Sequence, residues 1–124
     1  MRFATTLPAT DMERAKAWYA SILQIEPTKL DESGDAWYEA SGTRFLLYAS
    51  KFAGTNQATA MGVEVEDVEA AVADLRARGA VFEDYDFGDD FRTVDGIFTT
   101  PEGQKLAWFK DSEGNILSLA GLQD

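Results

Sequence analysis

The chain contains no cysteine and no histidine, and each absence removes a class of chemistry. Without cysteine, a disulfide framework and thiolate catalysis are excluded, and a cytoplasmic location is the default expectation. Without histidine, a serine–histidine or cysteine–histidine nucleophile cannot be assembled. The glycines form neither a phosphate-binding loop nor a dinucleotide fingerprint. Long hydrophobic runs are also missing, since no apolar stretch approaches the ~20 residues of a membrane-spanning helix.

Positive charge is scarce as well. The chain carries 11 Lys and Arg residues against 22 Asp and Glu residues, a net charge of −11. Such a chain is repelled by nucleic acid and by anionic membranes, so neither is expected as a partner. The acidity is compatible with a cationic ligand, although net charge affects solubility first. The 45% hydrophobic and 12% aromatic shares are typical of a globular protein, and 124 residues predict one domain.

Two amphipathic helices are predicted. The first begins at Thr10 or Asp11, where Glu13 has the spacing of a capping box, and its apolar stripe is Met12, Ala15, Trp18, Tyr19, Ile22 and Leu23. Trp18 and Tyr19 are expected in the core between helix and sheet. The second helix begins at Asp67 and ends at Gly79, with the stripe Val68, Ala71, Val72 and Leu75. The two starts lie 56 residues apart, which is a weak signal of an internal repeat.

Strand-like segments surround both helices in the same order. Each helix follows one alternating or apolar run and precedes several more, separated by turns such as Ser41-Gly42 and Pro101-Glu102-Gly103. The predicted strands are Phe3–Pro8, Ile25–Leu30, Ala36–Ala40, Arg44–Ala49, Met61–Glu66, Val81–Tyr85, Ile97–Thr100, Lys105–Lys110 and Asn115–Ala120. The sequence therefore predicts an α+β fold of two modules, residues 1–56 and 57–124, whose sheets share a concave face.

Three segments resemble one known superfamily. Asp11-Met12-Glu13-Arg14-Ala15 with Trp18-Tyr19 looks like its first helix, and Glu66-Asp67-Val68 looks like the start of its second. Lys110-Asp111-Ser112-Glu113-Gly114-Asn115 resembles its Asp-Pro-x-Gly-Asn hairpin. The chain thus resembles the vicinal oxygen chelate superfamily, which includes glyoxalase I, extradiol dioxygenases, fosfomycin-resistance enzymes and bleomycin-resistance proteins. The resemblance implies two βαβββ modules forming a curved mixed sheet around a central cavity.

Metal-using members of that superfamily place four ligands on the cavity face. In this chain the resemblance assigns those positions to Ala4, to Ala60 or Met61, to Ser118 and to a residue between Arg44 and Tyr48. Alanine has no donor atom, and a divalent ion needs several N, S or O donors. We therefore expect no metal and no other cofactor. An alternative site built entirely from carboxylates is conceivable, because glutamates are abundant.

Aromatic residues are the stronger indication of a binding site. In an alternating strand one member of each pair, Trp37/Tyr38 and Trp108/Phe109, faces the cavity, and we favour Trp37 and Trp108. The predicted ligand-binding residues are Trp37, Phe45, Tyr48, Glu64, Trp108 and Ser118. Phe87, Phe91 and Phe98 lie in or beside the long connection and are a candidate lid or simple loop anchors. Glu39, Glu64 and Asp95 are candidate general bases, although charges that alternate along a strand usually face solvent.

The resemblance favours a binding protein over an enzyme. By likeness to the bleomycin-binding branch, we expect a metal-free homodimer that sequesters a small molecule, an antibiotic or another aromatic or cationic compound. One alternative is a lyase or isomerase that uses a carboxylate or a tyrosine in the same cavity without a metal. A metal-dependent enzyme of the glyoxalase or dioxygenase type and a structural or regulatory dimer without a ligand are the others.

Overall fold

Two four-stranded sheets and two helices make up the computed structural model, which describes residues 1–122. The elements in chain order are β1 (Thr5–Ala9), α1 (Met12–Trp18), a π-helical turn (Tyr19–Leu23), β2 (Lys29–Leu30), β3 (Ala36–Ala40), β4 (Thr43–Ala49), β5 (Thr59–Val65), α2 (Val68–Ala77), β6 (Ile97–Thr99), β7 (Lys105–Lys110) and β8 (Ile116–Gly121).

The two sheets have the same topology. The first has the strand order β1-β4-β3-β2 and the second β5-β8-β7-β6. In each, the first strand pairs in parallel with the last, and the other pairs are antiparallel. Each half is therefore a strand, a helix and three further strands, as predicted, and the predicted fold class is confirmed. The two sheets approach each other along β1 and β5.

The start of α1 depends on a distant residue. Asp11 is the N-cap, and its carboxylate accepts a hydrogen bond from the Arg14 N–H at 3.1 Å. The predicted capping box with Glu13 does not form, because with Asp11 as N-cap the third residue after it is Arg14; Glu13 pairs with Lys16 at 2.9 Å. The N–H of Asp11 instead donates to Glu113 Oε1 at 2.9 Å, from the second module. The N–H of the N-cap residue is thus satisfied by a carboxylate distant in sequence and not by a residue of the first helical turn.

The end of the first helix also departs from the regular α-helix that the apolar stripe predicts. After Trp18 the chain widens into the π-helical turn, which a 3.6-residue periodicity does not predict. The turn ends at Gln24, whose φ of 56° lies in the left-handed region that favours glycine. Pro27 then lacks an N–H, and regular pairing begins only at Lys29, so the predicted strand Ile25–Leu30 is shortened to two residues.

The edge of the second sheet is interrupted. Of the predicted strand Val81–Tyr85, only Phe82 pairs, opposite Phe109 of β7, so that prediction was wrong as an independent strand. Further along the same edge of β7, β6 takes over. The Asp84 carboxylate explains the departure, since it accepts hydrogen bonds from the Thr93 hydroxyl at 2.7 Å and the Gly96 N–H at 2.8 Å. Residues 85–96, here called the aromatic loop, therefore leave the sheet edge and return to it.

One hydrophobic core joins both modules. The inner faces of both sheets pack against the helices, and Trp18 of α1 stacks on Phe109 of β7 with ring centroids 6.1 Å apart. Trp18 and Tyr19 therefore lie between helix and sheet, as predicted. The largest fully buried side chains are Leu7, Tyr19, Tyr38, Leu47, Phe109, Leu117 and Leu119. Neither helix within residues 1–122 has the length and hydrophobicity required to span a bilayer.

Candidate ligand-binding face

Each sheet buries one face against the core and leaves the other open. On β3, Tyr38 is buried whereas its neighbour Trp37 lies on the other face; on β7, Phe109 is buried whereas Trp108 lies on the other face. This alternation agrees with the predicted orientation of both pairs. We call these surfaces the first and second open faces. The first carries Thr6, Pro8, Lys29, Trp37, Glu39, Arg44, Leu46 and Tyr48, and the second carries Gly62, Glu64, Phe98, Leu106, Trp108, Ser118 and Ala120.

The first open face centres on Trp37. In the strand register, Trp37 lies between Lys29 of β2 and Leu46 of β4. The Arg44 guanidinium lies over the Trp37 ring, 4.6 Å from its centroid, at the distance of a cation–π contact. Tyr48 lies further along β4, opposite Pro8, and is partly buried. This face therefore offers a planar ring, a guanidinium and an aliphatic surface together.

The second open face is built around one cross-strand row of three residues. Ser118 of β8 lies between Gly62 of β5 and Trp108 of β7 in one cross-strand row. A Cβ at Gly62 would come within 3.3 Å of the Ser118 hydroxyl oxygen, so the glycine keeps this row tightly packed. Glu64 is exposed opposite Ala120, and its carboxylate has no hydrogen-bond or ion-pair partner within residues 1–122.

The aromatic loop covers Trp108. Phe91 stacks on Phe98 with centroids 4.4 Å apart and contacts Trp108 at 5.6 Å, while Tyr85 meets the Trp108 ring edge-on at 5.8 Å. The loop is held by an ion pair between Arg92 and Asp86 and by the Thr93 hydroxyl, which accepts from the Tyr85 N–H at 2.7 Å. Trp108 thus already contacts two of the chain's own rings, one edge-on and one tilted, whereas the contact found on Trp37 is with Arg44.

A buried polar cluster joins the two modules behind these faces. Tyr19 donates its hydroxyl hydrogen to Asp111 Oδ2 at 2.7 Å, and Asn115 Nδ2 donates to the same oxygen and to the Pro8 carbonyl. Burial, followed by the Asp111 carboxylate, raises the pKa of Tyr19 well above its usual value. Hydrogen bonding from Arg14 holds the pKa of Glu113 at about 2. The predicted Asp111–Asn115 hairpin thus anchors the second module to the first.

The clefts of the structure lie elsewhere. Two depressions of about 410 and 440 Å³ flank the contact between Lys105 and Glu69, at the rim of the second sheet beside the start of α2. Neither is lined by Trp37 or Trp108. Neither depression therefore corresponds to the central cavity that the resemblance implies beside Trp37 and Trp108.

Comparison with known proteins agrees with this geometry. A family model described as "Glyoxalase-like domain" matches residues 4–109. The chain belongs to the glyoxalase-like family. The predicted resemblance to the vicinal oxygen chelate superfamily is thereby confirmed. No curated protein matches the chain.

Solved structures similar to this glyoxalase-like protein cover nearly the whole chain. A glyoxalase/bleomycin resistance protein from Catenulispora acidiphila is 20% identical, with a TM-score of 0.71 and 99% of both chains covered. A lactoylglutathione lyase from Agrobacterium tumefaciens is 15% identical, with a TM-score of 0.72 and coverage of 98% of this chain and 92% of that one. A fosfomycin resistance protein from Listeria monocytogenes, in a complex with Mn(II) and a dihydroxypropylphosphonic acid, is 14% identical, with a TM-score of 0.67 and coverage of 98% and 90%. At these identities the likeness shows the fold alone.

The residues of the glyoxalase-like chain do not fit a metal at the superfamily positions. Ala4 precedes β1, Ala60 lies at an irregularity of the β5–β8 pairing, and Met61 is partly buried against the core. Between Arg44 and Tyr48, β4 has no usual metal ligand, and Ser118 offers only a hydroxyl. Within residues 1–122 no group of three or more Asp or Glu side chains is placed to hold an ion. The donor set therefore does not match a divalent site.

Several predicted site residues fall outside the open faces. Phe45 is 9% exposed, and its ring stacks on Tyr38 at 4.7 Å, so it belongs to the core and is removed from the candidate site. The alternation of β4 places Leu46 and Tyr48 on the open side instead. Asp95, a candidate base, lies within the aromatic loop and not on a strand of either open face, and it pairs with Arg76 at 3.3 Å. Glu39 is exposed on the rim of the first open face, opposite Arg44.

Arg44 was the residue that sequence reasoning missed. Its side chain is not a usual metal ligand, and so the sequence argument gave it no role. The available signal was the alternation of β4, which assigns Arg44, Leu46 and Tyr48 to one face. Tyr85 was missed for a different reason, because its contact with Trp108 requires the fold of the aromatic loop.

Proposed function

We propose that this glyoxalase-like protein binds a small planar molecule on its first open face without a metal ion and sequesters it unchanged. The observation that carries the proposal is Trp37, a partly buried indole beside Arg44, Leu46 and Tyr48 on a face that the core does not use. Indole rings stack on flat ligands, and such contacts need no metal. The lack of donor side chains at Ala4 and Ala60 favours the same interpretation.

A second copy of the chain supplies the cover that one subunit lacks. The first open face lines neither of the two depressions described above, and binding sites generally bury most of a small ligand. The superfamily resemblance leads us to expect a homodimer with ligand sites at the subunit interface. We therefore propose that the ligand lies between Trp37 of one subunit and a surface of its partner. Light scattering should then give twice the 13.6 kDa mass of the chain.

Tryptophan fluorescence tests the binding proposal. Titration with neutral planar aromatic compounds in the presence of a chelator should quench emission and leave the compound chemically unchanged. Trp37→Leu should remove the quench, whereas Trp108→Leu, at a ring that Phe91 and Tyr85 already contact, should retain it. If the quench follows Trp108 instead, or if binding requires added zinc or manganese, the proposal is wrong.

One observation favours a metal-independent enzyme as the second candidate. The Glu64 carboxylate is unpaired within residues 1–122 and shares the second open face with the Ser118 hydroxyl. A free carboxylate beside a hydroxyl can move a proton in a lyase or isomerase. Conversion of a bound compound that is lost in Glu64→Gln would favour this candidate over sequestration.

A further inference from the structure

The acidity of the chain is unevenly divided between the modules. Residues 1–56 contain six basic and seven acidic residues, a net charge of −1, whereas residues 57–124 contain five basic and 15 acidic residues, a net charge of −10. Net charge sets the field over a whole surface, but a ligand responds to the charges near its site. The overall value of −11 therefore does not describe the first open face.

Unpaired cations are concentrated in the first module. Six of the 11 basic residues make ion pairs: Arg14, Lys16, Arg76, Arg92, Lys105 and Lys110. Arg78 donates to the Ile22 carbonyl at 2.6 Å. The other four have no ion pair within residues 1–122, and all precede residue 52: Arg2, Lys29, Arg44 and Lys51. Two of these four, Lys29 and Arg44, lie on the first open face beside Trp37.

Arg44 lies next to a carboxylate and does not pair with it. The register places Glu39 directly opposite Arg44, yet the guanidinium lies over Trp37 at 4.6 Å and makes no ion pair within residues 1–122. A cation–π contact does not use the N–H donors of a guanidinium in hydrogen bonds, so those donors remain available to an anion. Lys29 is opposite Trp37 on β2, the strand on the other side of β3 from Arg44, and adds a second positive charge.

We infer that the ligand of the first open face is an aromatic anion, whose ring stacks on Trp37 and whose carboxylate or similar group binds Arg44. This inference rests on the proposed function and names its ligand class. Arginine matches a carboxylate with two parallel hydrogen bonds, which are stronger than neutral ones. This inference reverses the expectation of a cationic ligand that net charge suggested, because salt screens charges beyond roughly 8–10 Å and the charges beside the site act on the ligand most strongly.

Three probes that share one ring separate this inference from the proposed function. The probes are 2-naphthoate, 2-naphthamide and 2-naphthylmethylamine, which carry a negative, zero and positive charge at pH 7. Binding is followed through the indole N–H signals of Trp18, Trp37 and Trp108 in nitrogen-15 NMR spectra, with the Trp37 signal assigned from Trp37→Phe. We expect 2-naphthoate to shift the Trp37 signal at concentrations at least tenfold lower than the amine.

Matched variants test the role of the guanidinium. Arg44→Gln should weaken 2-naphthoate binding about tenfold or more and leave 2-naphthamide binding nearly unchanged. Lys51→Gln is the control, because Lys51 is also unpaired and lies over a ring, Phe52, at 5.4 Å, but outside the first open face. Glu39→Gln should leave 2-naphthoate binding as tight or make it tighter, since a competing carboxylate is removed.

The outcomes distinguish the two proposals. Equal or tighter binding of the amine, or an Arg44→Gln variant that binds 2-naphthoate as well as the parent, overturns the anion inference and leaves the proposed function standing. Binding of 2-naphthamide alone would also overturn the anion inference and leave the proposed function standing. If none of the three probes shifts the Trp37 signal, both the inference and the proposed binding face are wrong.

Discussion

Two tyrosine hydroxyls are buried in the core, and they differ in what they contact. Tyr19 donates to Asp111 at 2.7 Å, whereas the Tyr38 hydroxyl is buried without a hydrogen-bond partner within residues 1–122. Burial, with the Glu26 charge as a smaller cause, raises the pKa of Tyr38 to about 12. A buried hydroxyl without a partner costs desolvation energy and returns no hydrogen bond.

Substitution of each tyrosine by phenylalanine should therefore have opposite effects. We expect Tyr38→Phe to leave the free energy of unfolding unchanged or to raise it by up to about 1 kcal/mol. Tyr19→Phe removes a bond to a carboxylate and should lower it by about 1.5–3 kcal/mol. Urea unfolding at neutral pH measures both, and each variant is the size control for the other. A loss of more than about 1 kcal/mol in Tyr38→Phe would mean that its hydroxyl has a partner such as an ordered water.

At the scale of elements, the β7–β8 hairpin depends on contact with a segment of the first module. Asp111 Oδ1 accepts hydrogen bonds from the Glu113 and Asn115 N–H groups, both at 2.9 Å, which closes the turn. Gly54, after β4, packs against this turn: a Cβ at Gly54 would lie 2.9 Å from the Glu113 carbonyl oxygen. The φ of Gly54 is +78°, so glycine is favoured there by conformation as well as by space.

Gly54→Ala should therefore cost more than an alanine at a comparable open turn. The left-handed conformation costs about 1–2 kcal/mol, and the contact with Glu113 adds about 1–3 kcal/mol of overpacking. Gly103 is the matched control, because its φ is +88° and nothing lies within 4 Å of an added Cβ. Thermal or urea unfolding of Gly54→Ala and Gly103→Ala gives the difference. Equal losses in the two variants would show that the contact with the hairpin is unimportant.

At the scale of the whole molecule, Glu113 couples the modules. Its carboxylate accepts from the Arg14 guanidinium at 2.8 and 3.0 Å and from the N–H of Asp11, so it holds the start of α1 against the second module. The Glu113 side chain is fully buried, whereas that of Arg14 is 54% exposed. Water that reaches Arg14 therefore weakens the attraction between the two charges. The pKa of Glu113 is lowered to about 2, mainly by the hydrogen bonds from Arg14.

This coupling predicts a specific pH dependence. Because the folded pKa lies below the ordinary value of 4.5, the ionised carboxylate stabilises the fold above pH 4.5, and its contribution falls between pH 4.5 and about 2. Glu113→Gln should lose on the order of 2 kcal/mol at pH 7, and its difference from the parent should shrink toward pH 2. Urea unfolding across this range, followed by fluorescence and far-ultraviolet circular dichroism, measures it. A constant difference at every pH would contradict the role of the charge.

The distribution of charge is also a property of the whole molecule. The net charge of the sequence suggested a cationic ligand. A net charge, however, does not say where on the surface the charged residues lie. The structure places Lys29 and Arg44 beside Trp37, while the acidic excess of −10 lies in residues 57–124. A charge acts over roughly 8–10 Å at physiological ionic strength, so position outweighs the total.

Local patterns in the sequence determined the fold class and the sidedness of the strands. The N-caps at Asp11 and Asp67, the orientation of Trp37 against Tyr38 and of Trp108 against Phe109, and the turn at Asp111–Asn115 all follow from short-range signals. These features are predictable because helix capping and strand alternation depend on residues a few positions apart. The superfamily resemblance, and not these local signals, led to the prediction that Ala4 and Ser118 stand at ligand positions.

Only the tertiary structure decided which of these residues meet. Glu113 caps α1 from 102 residues away, the aromatic loop covers Trp108, and Phe45 turns into the core. Arg44 lies on Trp37 although Glu39 is its partner in the register. In each case a side chain could make several alternative contacts. Packing and burial in the folded chain decide which contact forms. The sequence by itself therefore identified a glyoxalase-like fold and predicted that its metal ligands are missing, and the tertiary structure placed an arginine over an indole on its first open face.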